Sequence, residues 1–389
     1  MKTHSVVAYY NRKTNGAHSR QIFTGLCELA RSGAIDLELA EDDWNPDHAT
    51  ENLVKVTLNG QTDLLFDTND GFYWIHDDLE RNVEYFAGVI LPKFRYVFKR
   101  SCNPAILARF GALGAKFRPL GLNYEMTSRY NMMDRIYFGR LDQWKKSIRR
   151  SGALCKILGK GSDRSIHFEN FEHPPLAPDG SPPQILLLTR LWGPLGEEVA
   201  AGPAVRERTQ RELDAINRTR IECVEACRAA FAGHFIGGLA ASPYASQVAP
   251  HLIAPDNMTS KLAFMQLIKA SPICIATTGL ILSTGWRFGE YVAASRAIVS
   301  EKVHDVLPGP FRTPDNYLEF STVNELLAAV RGLIADRSAL HRMMWNNYSY
   351  YRSYGRPDSL ILNALLQCLP GESGTSRAAP PSAGAVKLL

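Results

Sequence analysis

The sequence predicts an α/β protein built as two successive parallel-sheet lobes. Three observations predict it. The chain opens strand, loop, helix, strand: HSVVAYYN is an apolar strand-like run, Arg20 to Arg31 carries Ile22, Phe23, Leu26, Leu29 and Ala30 at helical spacing, and Ile35 to Ala40 is strand-like again. That order makes neighbouring strands parallel and lays helices on the sheet faces. Midway, FENFEHPPLAPDGSPP, Phe168 to Pro183, holds five prolines, which remove backbone donors and mark a linker. Directly after it QILLLT, Gln184 to Thr189, starts a fresh strand, followed by an amphipathic helix over about Ala204 to Ala232 with Leu213, Ile216, Ile221, Val224 and Cys227 on one side.

The remaining elements follow in order. Asn59-Gly60 between apolar runs in VKVTLNGQTDLLFD predicts a tight hairpin, because both residues tolerate positive φ. Its second arm ends at DTNDG, Asp67 to Gly71. Short apolar runs follow at Ala87 to Leu91 and Tyr96 to Phe98, AKFRPLGLNYE reads as a strand entering a loop, and Asn131 to Cys155 reads as helical. In the second half HFIGGLA is a strand and loop, Thr259 to Lys269 a helix, Asn324 to Ala335 an amphipathic helix, and Leu340 to Leu369 helical with an interruption at Pro357. The tail after Pro370 is small and polar, a composition that does not build a core. The expected division is 1–170, a linker at 171–183, 184–339, a crossing region at 340–370 and a disordered tail at 371–389.

Composition excludes several classes. With 389 residues and 45% hydrophobic content the chain can bury two cores. A net charge of +5 is far from a nucleic-acid arm and suits an anionic ligand. WKKSIRR, Trp144 to Arg150, is the densest basic stretch; it reads as a solvated face, with a peripheral lipid contact as the other reading. The seven cysteines are scattered and complete no zinc pattern, so reduced thiols are expected. Without an N-terminal leader pattern or a membrane-length apolar run, the expected location is the cytoplasm.

The chemistry-bearing stretch is CIATTGLILSTGWRFGEYVAASRAIVSEK, Cys274 to Lys302. Two apolar strands flank a loop carrying Thr278, Gly279, Ser283, Thr284 and Gly285, then Arg287, Gly289 and Glu290 at the start of a short helix. In open α/β sheets ligands bind beyond the carboxyl ends of strands. A helix starting there presents free N–H groups suited to phosphate, and an acid in its first turn can grip vicinal hydroxyls. The same acid is also favourable merely through the helix dipole.

GWRFGEYVAASRAIVSEK resembles the donor-site segment of bacterial GT-B glycosyltransferases of the group 1 kind. Glu290, Ala293, Ala294, Ala297 and Ile298 fall on that family's E-A-x-A-x-G-x-P-V-I pattern. QILLLTRLW is similar to the strand-then-Arg opening of the family's second domain. The resemblance implies two Rossmann-like domains facing a cleft and a terminal helix crossing back to the first. It implies a nucleoside-diphosphate sugar as donor, with Glu290 on the ribose and Arg190, Ser283, Thr284 and Gly285 at the diphosphate. The family's usual Lys after the Arg is missing from LWGPLGEE, and Arg287 and Lys261 read either as its substitutes or as surface charges. The earlier of two family glutamates is Leu282 here, which leaves retaining against inverting chemistry unassigned.

The expected activity is therefore metal-independent glycosyl transfer of the hexosyltransferase class, onto a glycan or lipid-linked acceptor in surface polysaccharide synthesis. No cofactor and no metal are expected. An inverting route needs a base, for which Asp67, Asp70 and His18 are candidates, the aspartates also fitting a plain turn. Gly16 lets the backbone approach phosphate or acceptor, and Lys99 and Arg100, after a buried run, either neutralise an anionic acceptor or form a solvated strand end. Trp345, Tyr348, Tyr351 and Tyr354 are expected to pack in the crossing region. The rival readings are a nucleotide-sugar epimerase on the same scaffold and a non-catalytic nucleotide-sugar-binding subunit.

Overall fold

A computed structural model describes residues 4–11, 14, 16–42, 44, 51–72, 78–134, 164–178, 180–196 and 203–369. Most of the expected helix Asn131 to Cys155, the WKKSIRR stretch and the 371–389 tail lie outside the described residues.

The first lobe is a six-stranded sheet in the order β2-β1-β3-β4-β5-β6, made of β1 (His4–Tyr10), β2 (Ile35–Glu41), β3 (Leu53–Leu58), β4 (Thr62–Asp67), β5 (Tyr96–Lys99) and β6 (Phe117–Pro119). β3 alone runs antiparallel, because the hairpin at Asn59 (φ 53°) and Gly60 (φ 67°) reverses the chain there. Helix α1 (Gly16–Arg31) covers one face; the other carries α2 (Leu79–Tyr85), which runs on into a wide turn at Phe86–Ile90, and α3 (Pro104–Leu107).

The second lobe is an all-parallel sheet in the order β11-β10-β9-β7-β8, from β7 (Ile185–Thr189), β8 (Phe235–Leu239), β9 (Ile273–Ala276), β10 (Ala297–Glu301) and β11 (Leu318–Phe320). Its helices are α4 (Pro203–Ala230), α5 (Pro243–Val248), α6 (Asp256–Thr259), α7 (Lys261–Ala270), α8 (Trp286–Ala293), α9 (Val323–Ala335) and α10 (Arg337–Tyr350). Strand β7 shows why such strands read as continuous apolar runs. Leu186 and Leu188 enter the core on one face, Ile185 and Leu187 the core on the other. The expected helix from Thr259 is split at Ser260, which leaves the helical region (ψ 150°) to cap α7 through its hydroxyl.

After α10 a wide turn leads to α11 (Pro357–Leu366), which returns to the first lobe. Leu360, Ile361, Ala364 and Leu365 join the core beneath β1 and α1. The approach is close enough to need Gly25 in α1, where a Cβ would lie 2.2 Å from the Pro357 carbonyl oxygen. Gly25→Ala is expected to destabilise the protein by about 2 kcal/mol, as overpacking does, read by urea unfolding. This is the GT-B arrangement: two α/β lobes with a terminal helix crossing back. The crossing aromatics divide. Tyr351 is buried and its hydroxyl lies 3.1 Å from that of Tyr124, whereas Trp345 is 47% exposed and meets only the edges of His341 and Tyr348 among ring partners. Trp345 sits on the solvent face of α10, which corrects its expected packing role.

Ser295 stands at φ 58° between α8 and β10. A side chain in the left-handed region is strained, so Ser295→Gly is expected to raise unfolding free energy by about 1 kcal/mol in the same assay.

Candidate functional site

The parallel sheet reverses its strand order between β7 and β9: α4 carries the chain outward to β8, and β9, β10 and β11 extend the other way. A crevice forms outside the carboxyl ends of such a strand pair. Here those ends deliver Arg190 after β7 and Thr277 and Thr278 after β9.

Arg220, buried on α4, ties the two ends together. Its Nη1 donates to the Arg190 carbonyl (2.8 Å), Nε to Thr277 Oγ1 (3.2 Å) and Nη2 to the Thr278 carbonyl (3.1 Å). Burial, then the charges of Arg287 and Arg190, lower its pKa to about 10. Arg190 is lowered for the same reasons, burial first and Arg287 second, and lies 4.2 Å over the Trp192 ring. Arg287 packs 4.7 Å over Phe264, and its Nη1 is buried without a hydrogen-bond partner among the described residues. Three guanidiniums thus converge and repel one another. Among the described residues none of them forms an ion pair with a carboxylate. The nearest acid in charge terms, Glu301, accepts instead from the backbone N–H and hydroxyl of Thr278 (2.8 and 3.1 Å). An oxyanion bridging Arg190 and Arg287 would supply the missing counter-charge.

The loop after Thr278 is closed by Gly279 N–H to the Ser283 carbonyl (2.8 Å) and Ser283 N–H to the Leu280 carbonyl (3.1 Å). Ile281 (φ 58°) and Leu282 (φ 54°) are both left-handed, an outlier conformation for a β-branched residue. The Glu212 carboxylate on α4 accepts from Ile281 N–H and holds this turn. Strain so supported clusters at ligand sites. The Ile281 side chain reaches Gly71 of the first lobe, where a Cβ would lie 2.8 Å from Ile281 Cγ2. The loop therefore faces the gap between the lobes.

Helix α8 begins at Trp286, with Gly285 as its extended cap (ψ 154°), so Glu290 is its fifth residue. That corrects the expected first-turn position: the helix starts earlier, and its first turn holds no acid to gain from the dipole. Glu290 is buried at 3% exposure and its Oε1 is 2.5 Å from Lys261 Nζ. Lys261, the first residue of α7, also lies 4.9 Å over the Phe171 ring. The two residues expected to hold a nucleotide separately hold each other in this structure.

The first lobe brings the ends of β1, β4 and β5 to the same gap. Gly16 opens α1, and His18 in its first turn sits edge-on to Trp286, ring centroids 5.1 Å apart. Burial and then Arg100 lower the His18 pKa, so its imidazole is neutral at pH 7; its Nδ1 has no hydrogen-bond partner among the described residues. Arg100 pairs with Asp70 (3.2 Å) and donates from Nη2 to the Thr284 carbonyl (2.8 Å), bridging the lobes at the expected diphosphate loop. Asp67 and Lys99 lie behind them, both fully buried and 3.1 Å apart. Asp67 also accepts from the Asn69 backbone and side-chain nitrogens (2.9 Å each). An acid sealed on all sides cannot reach a substrate proton, nor can a fully buried ammonium meet an acceptor phosphate. Asp67 and Lys99 are corrected to structural roles beneath Asp70 and Arg100.

Arg220, Glu212 and Asp305 were missed in the sequence. Arg220 and Glu212 sit inside a long amphipathic helix where charges read as solvent-facing. Asp305 lies in a loop with no local pattern. The strand order, once known, points to the first two.

No protein-family model matches the chain, and no curated protein matches it. Solved structures resemble it in architecture. S. aureus MnaA with UDP aligns over 94% of this chain and 97% of its own at 11% identity and a TM-score of 0.38. Anabaena HepE in complex with UDP and glucose aligns over 88% and 89% at 11% identity and a TM-score of 0.39. The C-terminal domain of a glycosyl transferase group 1 family protein from Francisella tularensis aligns over 48% of this chain and 95% of its own at 13% identity and a TM-score of 0.31. At these scores the likeness carries no functional argument; the site itself does. Among the described residues no helix is long and apolar enough to cross a membrane.

Proposed function

We propose that this chain moves a glycosyl group from a nucleoside-diphosphate sugar to an acceptor hydroxyl on a glycan or lipid-linked saccharide. One observation carries the reading: three guanidiniums without a carboxylate partner among the described residues, at the strand-order reversal of a parallel sheet, facing a second charged lobe. The diphosphate lies against Arg190, Arg287 and the backbone of Ser283, Thr284 and Gly285. Arg220 is the positioning residue that fixes the two strand ends. As the bond from sugar to phosphate breaks, charge grows on the leaving diphosphate, where preorganised guanidiniums stabilise it most. Glu290, exchanged from Lys261, takes the ribose hydroxyls. Arg100 and the backbone at Gly16 attend the acceptor side.

A thermal-shift panel of nucleoside diphosphates tests the reading, since a ligand that binds only the folded state raises the melting temperature by mass action. One diphosphate is expected to give a saturable rise; no rise with any of them overturns the reading. Glu290→Ala is expected to keep the fold, because Lys261 is already one-third exposed (33%) and can regain water, and to weaken binding by about 2 kcal/mol in calorimetry. Product analysis separates transfer from epimerisation: the former consumes acceptor and releases nucleoside diphosphate, the latter returns an epimeric sugar with no acceptor glycosylated.

A further inference from the structure

The loop after β10 crosses to the first lobe. Val306 N–H donates to the Cys102 carbonyl (3.0 Å), and Pro308 packs against Gly121. This fixes Asp305 at a small cavity between the lobes, which it lines with Arg100, Gly121, Leu122, Thr284 and Leu307. Three features set Asp305 apart. It is half-buried, yet makes no hydrogen bond or ion pair among the described residues. It stands beside Arg100 and Thr284, hence next to the loop assigned to the diphosphate. The other acids of the first lobe's charged turns are engaged: Asp67 by Lys99, Asp70 by Arg100. His18 faces the Trp286 ring and does not line this cavity.

We propose that Asp305 is the general base of the transfer, taking the proton of the acceptor hydroxyl. The proposal rests on the nucleotide-sugar reading above. In the step, a lone pair of the acceptor oxygen forms the new bond to the anomeric carbon. The electrons of the breaking bond to phosphate leave with the diphosphate, and the hydroxyl proton passes to the Asp305 carboxylate. Burial raises this carboxyl to about 6; Lys99 and Arg100 pull it down, Asp70 pushes it up. A base near that value is still ionised at pH 7 and stronger than an ordinary carboxylate. The rate therefore falls as pH drops through about 6 and the carboxylate takes up a proton.

The test uses the full chain with Asp305→Asn and Asp305→Glu. Nucleoside diphosphate release from UDP-glucose, UDP-N-acetylglucosamine, GDP-mannose and dTDP-glucose is followed from pH 4.5 to 9, with water or a saccharide as acceptor. Binding of the corresponding diphosphates is followed by calorimetry and folding by thermal melts. The expected result is intact melting and diphosphate binding in Asp305→Asn, turnover lower by about 100-fold or more, loss of the acid limb, and partial rescue by Asp305→Glu. Unchanged turnover with the acid limb retained overturns the assignment. A merely structural aspartate would lower the melting temperature without changing the pH profile, and that outcome overturns it as well. If the wild-type chain binds no diphosphate, the nucleotide-sugar reading falls and takes Asp305 with it, a result distinct from a diphosphate-binding enzyme indifferent to Asp305→Asn.

Discussion

Replacing Arg190 and Arg287 together by alanine is expected to weaken nucleoside diphosphate binding by at least about 100-fold while leaving the fold as stable as before, or more so. Each charge-assisted hydrogen bond to a phosphate contributes about 1.5–3 kcal/mol, so two lost together amount to about 3–6 kcal/mol, and 1.4 kcal/mol is tenfold in affinity. Stability should move the other way. Burial first, and the neighbouring guanidiniums second, lower Arg190 and Arg220, so part of each shift is mutual repulsion. Removing two of the three relieves Arg220, which keeps its three hydrogen bonds. Calorimetry and urea unfolding on one sample separate the outcomes. Retained binding with a large loss of stability would make the cluster architectural and sink its assignment. Arg220→Ala should behave in the opposite sense, because two part-buried carbonyls lose their donor at about 1 kcal/mol each.

How far the sequence led differs between fold and site, for physical reasons. The β–α–β opening, the Asn59-Gly60 hairpin and the double-faced strand Ile185–Thr189 were legible because each is a local matter of side-chain period or backbone freedom. That Arg190 follows a strand and Arg287 opens a helix was legible because strand ends and helix starts are local too; the diphosphate role proposed for them came from the resemblance. Arg220 and Asp305 were not, since their meaning depends on which strands become neighbours and which loop crosses the gap, properties of topology. Glu290 is the intermediate case. Its position on α8 was nearly right, but its ion pair with Lys261 joins residues 29 apart in sequence, and no local pattern announces it. Asp67 and Lys99 misled for the converse reason: charges at strand ends usually face water, whereas these two are fully buried, with the Phe72 ring face over Lys99.

That burial makes Asp67→Ala the substitution with the largest expected effect on stability. Both side chains are fully buried, so removing the aspartate leaves the Lys99 ammonium without its counter-charge, at about 3–5 kcal/mol. The Asn69 carbonyl (2.8 Å) and the Phe72 ring face (4.8 Å) remain as partners, too weak to replace a carboxylate in a site closed to water. Against a total stability of about 5–15 kcal/mol such a loss removes a large share of the folded state's margin. Lys99→Met alone should destabilise for the mirror reason, through an uncompensated Asp67. The double variant Asp67→Leu with Lys99→Met should then cost far less than the two single losses added, because exchanging a buried pair for apolar groups is often close to neutral. Urea unfolding of wild type, Asp67→Leu, Lys99→Met and the double variant gives the coupling energy directly, and small, additive losses would show that water reaches the pair. The effect on activity should follow the singles rather than the double. Asp67 and Lys99 anchor the two strand ends that carry Asp70 and Arg100, and Arg100 holds the Thr284 carbonyl across the gap. A chain that regains stability through the apolar pair should therefore regain the bridge, and with it the geometry on which the proposed transfer depends.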